Sequence, residues 1–455
     1  MFKISKNVFP SWRCTFNFEG GFMFHLPDYF YYPLVWLTFI LVALVFVNLI
    51  YSISLSIFGL KRPKRDYEIV PDQKKFLFLV PAHNEEAVIG PTIESLISQN
   101  YSPELYDIVV IADNCTDRTV EIIQSYERAH AFINTSAPDE PRGKPHAIAK
   151  YVSTNNWREY DYIAFIDADN IVDKNYLREM NSQLVAHPEL TVSQGYLGIK
   201  NVATSITASG YAAAYFVANR ATQYANYRLG WNIAIGGTGF VLNTNYLAEK
   251  GWNPRSYTED FELQVELSME GEKSGWNHFA IVHDEKPNSF VASHHQRTRW
   301  AQGHWFVAFS TTWRQIKSIF HSKGLIEVLN KCQTLTYSYS MARPVLFLFI
   351  ILVGVIDIRL LQYLPKFFSL ISFWVVIEIL NYFILPTVYF LQEAKEYFDD
   401  YKGFFRKLLF FIRLIIAFIW NSITYMLAQV VGFFTCFKPQ NNWRKTVHNA
   451  TFDRA

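Results

Sequence analysis

An uninterrupted apolar stretch, Pro33 to Leu60, limits the folds that this chain can adopt. It contains no charged residue, and it is longer than the roughly 20 apolar residues that a membrane-spanning helix needs. It is too long, and begins too far along the chain, to be a cleaved signal peptide. The cationic cluster from Lys61 to Arg65 follows at once and should hold this end in the cytoplasm, with the N-terminus outside. The sequence therefore predicts a membrane-anchored protein.

The composition fits a soluble domain joined to membrane segments. Charged residues make up 18% of the 455 residues, below the roughly 25% of a typical soluble protein. The net charge of +2 is uninformative, but no concentrated basic surface of the nucleic-acid-binding kind is evident, so no nucleic-acid partner is expected. The four cysteines are scattered and form no metal-type spacing, so neither a disulfide framework nor a zinc site is expected.

Strand-like and helix-like runs alternate between Lys74 and Asn288. Phe76 to Val80 and Tyr162 to Ile166 have the apolar character of buried strands, whereas Glu85 to Gln99 has the pattern of a helix. This alternation predicts βαβ units on a largely parallel sheet.

Apolar runs return after Arg343 and predict further membrane segments. Two membrane crossings within residues 335–391 would take the chain out of the cytoplasm and back into it. The run from Leu408 to Phe437 contains Arg413 and Asn421, and a single crossing there would leave the C-terminal tail outside. An interfacial or re-entrant segment, or two tight crossings, would instead keep the tail in the cytoplasm.

These observations divide the chain into consecutive parts. They are an extracellular segment (1–32), a transmembrane helix (33–60), a cytoplasmic α/β domain (61–300), interfacial helices (301–334), a transmembrane hairpin (335–391), an interfacial or re-entrant segment (392–437) and a polar tail (438–455).

Residues 165–173, FIDADNIVD, place acids at the end of a buried strand. Asp167 and Asp169 are one residue apart, so in an extended chain their carboxylates point to the same side. Such a pair repels and resists ionisation, and a divalent cation removes the conflict. A solvated turn after the strand is the alternative interpretation.

Other charged residues follow a similar pattern. Asp113 ends a second strand and could accept hydrogen bonds from a base or ribose, while Asp117 could cap the next helix. Arg142-Gly-Lys144 is a flexible cationic turn suited to a phosphate. Glu259 and Asp260 follow about ninety residues after the first acidic pair, and taken alone they fit the N-terminus of a helix.

Two further motifs surround these acids. Gln296-x-x-Arg299-Trp300 could begin a basic interfacial helix, but Arg also offers a planar fork for phosphate and Trp an apolar face for a sugar ring. Gly236-Gly-Thr238-Gly239 permits close backbone approach, and a purely structural turn is the alternative.

The ordered set resembles the signature of membrane-integrated, processive family-2 glycosyltransferases, which are related to cellulose, hyaluronan and chitin synthases. The motifs that carry the resemblance are Asp113, Asp167-Ala-Asp169, Thr258-Glu-Asp260 and Gln296-x-x-Arg299-Trp300. The resemblance covers roughly residues 70 to 310. It implies an α/β GT-A domain, with a mixed and mainly parallel sheet, joined to transmembrane and interfacial helices.

The resemblance also implies roles for individual residues. The catalytic base would be Asp260, with Glu259 beside it, and the metal ion, Mg²⁺ or Mn²⁺, would be held by Asp167 and Asp169. The nucleotide would be bound by Asp113, Lys144, Asp167, Asp169 and Arg299, and the acceptor by Trp300, Gln296 and Thr238. A gating loop in a cytoplasmic tail would be formed by Trp443, Lys445 and Thr446.

The activity implied is inverting, processive transfer from UDP-glucose to a β-linked glucan, such as that of a capsule, which is exported across the plasma (inner) membrane. Alternatives are a chitin- or hyaluronan-like synthase that uses UDP-N-acetylglucosamine, and a non-processive enzyme that glycosylates a lipid. Too few spans and an intact acidic set argue against a transporter or scaffold. The expected partners are a UDP-sugar, the growing polysaccharide and the lipid bilayer. The single clear N-terminal span raises the question whether one subunit forms a whole channel, so a homo-oligomer is considered.

Overall fold

The computed structural model describes most of the chain. The described residues are 13–16, 22–25, 27–137, 140–256, 258–356, 376–377 and 379–438. The chain forms two compact units, of which one comprises Met1–Ser54 with Ser340–Ile384, and the other Leu55–Tyr339 with Leu385–Ala455.

The strands are β1 (Arg13–Phe16), β2 (Phe22–His25), β3 (Phe76–Ala82), β4 (Tyr106–Asp113), β5 (Ala129–Asn134), β6 (Tyr162–Phe165), β7 (Ile171–Val172), β8 (Leu190–Ile199), β9 (Phe240–Asn243) and β10 (Lys273–Asp284). The helices are α1 (Asp28–Gly59), α2 (Ile89–Ile97), α3 (Thr119–Gln124), α4 (Lys144–Thr154), α5 (Tyr176–Ala186), α6 (Ile206–Ala218), α7 (Ala225–Arg228), α8 (Thr244–Lys250), α9 (Glu259–Glu270), α10 (Phe290–Ile319), α11 (Leu325–Ser338), α12 (Ala342–Ile356), α13 (Leu385–Glu393), α14 (Lys395–Asp399) and α15 (Phe404–Thr435).

Strands β3 to β10 form one eight-stranded sheet in the order β5-β4-β3-β6-β9-β8-β10-β7. The pairs β5–β4, β4–β3, β3–β6 and β8–β10 are parallel. Strand β9 runs antiparallel to both of its neighbours, and the short β7 runs antiparallel to β10. The predicted mixed, mainly parallel sheet is confirmed.

Alternate side chains of the central strand β3 supply two hydrophobic cores. Phe76, Phe78 and Val80 are fully buried on one face, in the core that also contains residues of α2 and α5. Leu77 and Leu79 are buried on the other face, in the core that includes residues of α4. Burial on both faces explains the continuous apolar run of β3, since helices cover both sides of such a sheet.

Helices α10 and α11 change two of the predicted domain boundaries. Helix α10 continues without interruption from Phe290 to Ile319, so the predicted boundary at residue 300 falls inside a helix. Residues 335–338 were expected to begin the transmembrane hairpin, but they form the last turn of α11. They do so because this turn packs on the catalytic domain, where Tyr337 contacts the rings of Phe261 and His304.

Helices α1 and α15 are long and apolar enough to cross a membrane, judged by length and composition among the described residues. Residues 357–375 and Glu378, in the predicted hairpin, lie outside the described residues, as do residues 1–12. The hairpin and the extracellular segment stay predictions.

Helix α15 is one continuous helix of 32 residues, so the alternative of two tight crossings within it is wrong. The polar residues that interrupt its apolar run bind the catalytic domain. Arg413 donates to the hydroxyl of Ser209 at 2.9 Å, and Asn421 accepts hydrogen bonds from Arg297 of α10. One side of α15 is thereby attached to α6 and α10.

Candidate active site

The carboxyl ends of three adjacent parallel strands, β4, β3 and β6, lie at one edge of the sheet. Asp113 is the last residue of β4, His83 and Asn84 follow β3, and Asp167 follows β6. Ligands of open α/β sheets bind at this edge. The sheet therefore brings together acids that are about fifty residues apart in the sequence.

The carboxylate of Asp113 is buried and held in one orientation. Its Oδ1 accepts hydrogen bonds from the side-chain amides of Asn114 and Asn134, each at 2.8 Å. Nδ1 of His83 lies 2.6 Å from the backbone oxygen of Asp113. Asn84 and Asn114 have positive φ angles of 57° and 51°, a conformation that asparagine tolerates better than most residues. Asn134 had not been identified from the sequence.

Lys144 connects the acidic pair after β6 with the acids that begin α9. Its Nζ lies 2.6 Å from Oδ1 of Asp167, 2.6 Å from the backbone oxygen of Gly237 and 3.5 Å from Oε1 of Glu259. Burial alone would lower the pKa of Lys144, but the charges of Asp167, Glu259 and Asp260 outweigh burial and raise it. The ammonium group therefore stays charged among these carboxylates.

The glycine loop, residues 236–239, packs directly against this cluster. The hydroxyl of Thr238 accepts a hydrogen bond from the backbone N–H of Asp167 at 3.0 Å and donates one to Oδ1 of Asn170 at 2.5 Å. A Cβ atom at Gly237, where φ is +78°, would lie 3.0 Å from Oδ2 of Asp260. Thr238 is buried, and through these two hydrogen bonds its hydroxyl orients the acidic loop, residues 167–170. These bonds fit the alternative of a structural turn, and acceptor binding by Thr238 stays a prediction.

Asp260, in the first turn of α9, is a carboxylic acid with a raised pKa. Burial, followed by the neighbouring charge of Glu259, raises the pKa of Asp260 to about 7. Its Oδ1 accepts a hydrogen bond from the backbone N–H of Phe261 at 2.8 Å. A carboxylate with a pKa near the working pH can both accept a proton and release it readily.

A second buried ion pair, between Asp284 and Lys286, lies beside the acidic loop. Burial raises the pKa of Asp284 to about 6; the charge of Lys286 opposes this, and those of Asp169 and Asp167 add to it. The sequence interpretation missed this pair. Its only signal was a group of charged residues at the end of the apolar strand β10.

The carboxylates fit a divalent cation that is shared with a ligand. Asp167 and Asp169 supply the oxygen donors that Mg²⁺ and Mn²⁺ prefer, and their charges already act on Asp284. Within the described ranges there is no group of three or more Asp, Glu, His or Cys residues that could hold a metal ion. This donor set matches Mg²⁺ sites in which one or two carboxylates share the ion with substrate phosphates.

Trp300 lies among other aromatic rings and next to Lys286. It packs edge-on against Tyr211 at 6.2 Å between ring centroids, and Nζ of Lys286 is 5.5 Å from the Trp300 ring and 4.7 Å from that of Tyr215. Oε1 of Gln296 accepts a hydrogen bond from the hydroxyl of Tyr211 at 3.0 Å. Arg299 is half-buried on the same helix.

Helix α10, which carries Trp300, packs against Thr258, the residue that precedes α9. A Cβ atom at Gly303 would lie 2.7 Å from Oγ1 of Thr258, so only glycine permits this approach. His304 stacks on Phe261 at 4.2 Å between centroids. The structure therefore places α10 beside Asp260. The predicted gating residues lie outside the described residues, and they are Trp443, Lys445 and Thr446.

Comparison with known proteins agrees with this geometry. Residues 71–303 match the family model described as glycosyltransferase like family 2. The solved structure of the mannosyltransferase PcManGT from Pyrobaculum calidifontis, in complex with GDP-Man and Mn²⁺, aligns with a TM-score of 0.52 and 15% identity, and covers 86% of this chain and 99% of that one. The likeness confirms the GT-A fold.

Several curated proteins are similar over part of the chain. A probable glycosyltransferase of Bacillus subtilis, YdaM, is 26% identical over 60% of this chain and 66% of its own length. A β-monoglucosyldiacylglycerol synthase of Synechocystis is 28% identical over 52% of this chain and 49% of its own length. A poly-β-1,6-N-acetyl-D-glucosamine synthase of Staphylococcus epidermidis is 25% identical over 65% of this chain and 70% of its own length. The chain thus spans about half to two thirds of the length of the first two relatives.

Proposed function

The chain belongs to the family-2-like glycosyltransferases, and from that membership we propose that it extends a β-linked glucan from UDP-glucose and exports it across the plasma membrane. The observation that carries the proposal is that Lys144, Asp167 and Asp260 all lie against the glycine loop. Helix α10, which bears Trp300, lies next to them. Donor, base and acceptor positions thereby share one site.

The donor would bind at the carboxyl ends of β4 and β6. Asp113, oriented by two asparagine amides, would bind the base or ribose of the nucleotide. Asp167 and Asp169 would hold Mg²⁺ or Mn²⁺, which when bound neutralises the diphosphate leaving group. Lys144 and Arg299 would add positive charge beside this diphosphate.

Asp260 would act as the base of a single displacement. Its carboxylate takes the proton from an acceptor hydroxyl while the hydroxyl oxygen forms a bond to the anomeric carbon of the sugar. The bond from that carbon to the diphosphate breaks, and UDP leaves with the electron pair. One displacement inverts the anomeric configuration. A pKa of about 7 suits this role, and the charge of Glu259 helps to maintain it.

The acceptor would stack on Trp300, beside Tyr211 and Tyr215. The hydrogen bond from Tyr211 to Gln296 fixes the relative position of α6 and α10, which supply these rings. We assign Thr238 to positioning of the acidic loop instead of acceptor binding, because its hydroxyl already binds two partners there. Closure by Trp443, Lys445 and Thr446 stays a prediction.

We further propose that α1 crosses the bilayer and that α15 lies along the membrane surface. Helix α15 is attached to α6 and α10 through Arg413 and Asn421, and a polar catalytic domain does not enter the hydrocarbon core. The other side of α15 exposes apolar side chains to the lipid. These are Leu409, Ile412, Ile416, Trp420, Ile423, Leu427, Val431 and Phe434.

Cysteine labelling in intact cells or sealed vesicles tests this topology. With the native cysteines removed, Lys438→Cys, at an exposed position after α15, should react with an aqueous maleimide only from the cytoplasmic side, and Ile416→Cys should be protected by lipid. Labelling of Lys438→Cys from outside would show that α15 crosses the bilayer and would contradict the surface arrangement. Crosslinking of the same samples would show whether the protein is a homo-oligomer.

A second candidate is polymerisation of N-acetylglucosamine from its UDP derivative. The similarity to a poly-β-1,6-N-acetyl-D-glucosamine synthase favours it. A third candidate, transfer of one glucose to a lipid, is favoured by the similarity to a β-monoglucosyldiacylglycerol synthase.

The deciding experiment offers the full-length protein in lipid nanodiscs each UDP-sugar in turn, with Mg²⁺ or Mn²⁺, and measures UDP release and product size. The leading proposal predicts turnover with UDP-glucose and a polymeric product. Turnover only with UDP-N-acetylglucosamine would replace glucose by the second candidate. A lipid that carries a single sugar would contradict processive synthesis.

A further inference from the structure

The chain forms a π-helical turn, Asn219–Tyr224, between α6 and α7. Such turns are uncommon, and they occur frequently at functional sites. Side chains on this turn, those of Asn219, Arg220 and Gln223, are buried. Arg220 binds the end of α1, whereas Asn219 and Gln223 bind segments at the glycine loop.

Arg220 binds the cytoplasmic end of α1. Its Nη2 donates to the backbone oxygens of Gly59 at 2.8 Å and Lys61 at 2.9 Å, and its Nη1 forms an ion pair with Glu393 at 2.5 Å. Carbonyls in the last turn of a helix lack intrahelical partners, so the guanidinium caps α1. A Cβ atom at Gly59 would collide with the carbonyl group of Arg220. The last turn of α1 therefore rests directly on the backbone of the π-helical turn.

Gln223 and Asn219 hold the glycine loop from the other side of the same turn. The amide of Gln223 donates to the backbone oxygen of Ala234 at 2.6 Å and accepts from its N–H at 2.9 Å. Ala234 comes two residues before the loop. Asn219 donates to the backbone oxygen of Leu197 at 2.9 Å, and the side chain of Leu197 packs under Gly236.

We infer that this π-helical turn is a positioning element, which uses the end of α1 as a support to hold the glycine loop against Asp260. Arg220 and Gln223 touch no reacting atom and act through the loop backbone. The last turn of the membrane helix is then part of the catalytic scaffold and more than an anchor. The inference rests on the proposed role of Asp260 as the base.

The test uses the full-length protein in nanodiscs with two independent variants. Gln223→Met keeps the side-chain volume but removes both hydrogen bonds to Ala234, and Gly59→Ala forces α1 away from the π-helical turn. Since a displacement of about 1 Å can cost about 100-fold, we expect kcat to fall by about 10- to 100-fold in both variants. The Kd for UDP should rise by much less than kcat falls, because Asp113, which would bind the base or ribose, ends β4 and is held by Asn114 and Asn134, not by the glycine loop.

Arg228→Ala is the matched control. Arg228 is exposed and also binds a backbone oxygen of α1, that of Phe58, but no hydrogen bond joins it to the glycine loop in the described structure. Its kcat should equal that of the wild type. Wild-type kcat in both test variants would overturn the inference. A parallel loss of kcat and UDP affinity would also overturn it, because it would show a merely structural role. Turnover by Asp260→Asn, in contrast, would refute the proposed base and not the connection to α1.

Discussion

The burial of Asp260 predicts a steep pH dependence of turnover. Burial and the charge of Glu259 raise the pKa of Asp260 from 3.8 to about 7. Because only the ionised carboxylate accepts a proton, kcat should rise about tenfold per pH unit below pH 7 and level off above it. An aspartate of ordinary pKa would be ionised throughout roughly pH 5 to 8, and kcat would then be constant over that range.

Two variants should move this profile in opposite directions. Glu259→Gln removes a negative charge that raises the pKa of Asp260, and Lys144→Met removes a positive charge that lowers it. At an effective dielectric constant of about 20, a unit charge about 5 Å away shifts a pKa by about two units. The midpoint should therefore fall in Glu259→Gln and rise in Lys144→Met. Arg142→Met, an exposed position in the turn before Lys144, is the control and should leave the midpoint unchanged.

The assay measures UDP release between about pH 5 and pH 9 at saturating donor and acceptor, so that kcat reports the pKa in the bound complex. Saturation also separates the effect of Lys144 on the base from its effect on donor affinity. A flat profile for the wild type, or shifts of both variants in the same direction, would refute the reasoning.

Further predictions concern packing, docking and the metal. Gly303→Ala should lower kcat, because the new Cβ would collide with the hydroxyl of Thr258. Gly324→Ala is the control and should leave kcat unchanged, because nothing lies within 4 Å of its Cβ position. Wild-type kcat in Gly303→Ala would contradict the packing. Arg297→Met should lower the melting temperature by a few degrees, since a buried hydrogen bond to a charged group contributes about 1.5–3 kcal/mol. Arg314→Ala, at an exposed ion pair, should change it little, and a melting temperature of Arg297→Met equal to that of the wild type would contradict the docking of α15. Removal of divalent cations with EDTA should abolish transfer, and Mg²⁺ or Mn²⁺ should restore it; full activity in EDTA would exclude the proposed role of the metal.

Local sequence was sufficient to predict the sheet and the acids at its edge. Asp113 and Asp167 follow apolar strands, and parallel strands present their carboxyl ends at one edge. The convergence of their strands is therefore a consequence of the βαβ pattern. Asp260 was predicted differently, through the resemblance, because a helix N-terminus alone does not identify a base.

Contacts between distant segments were not predictable in this way. Asn170 donates to Asp284, 114 residues later in the chain, at 3.4 Å, because β7 pairs with β10, and no local pattern encodes that pairing. The resemblance implies an acceptor role for Thr238, with a structural turn as the alternative, and its hydrogen bonds to Asp167 and Asn170 could not be predicted from the local sequence. Arg413 was read as a polar interruption of an apolar run, although it docks the helix on the catalytic domain.

The role of Asp260 is tested most directly by Asp260→Asn in the full-length protein, with UDP release and UDP binding measured on the same preparation. Asparagine has almost the same shape but accepts no proton under these conditions, so release should fall to background while the Kd for UDP stays that of the wild type. Normal release by Asp260→Asn would contradict the account.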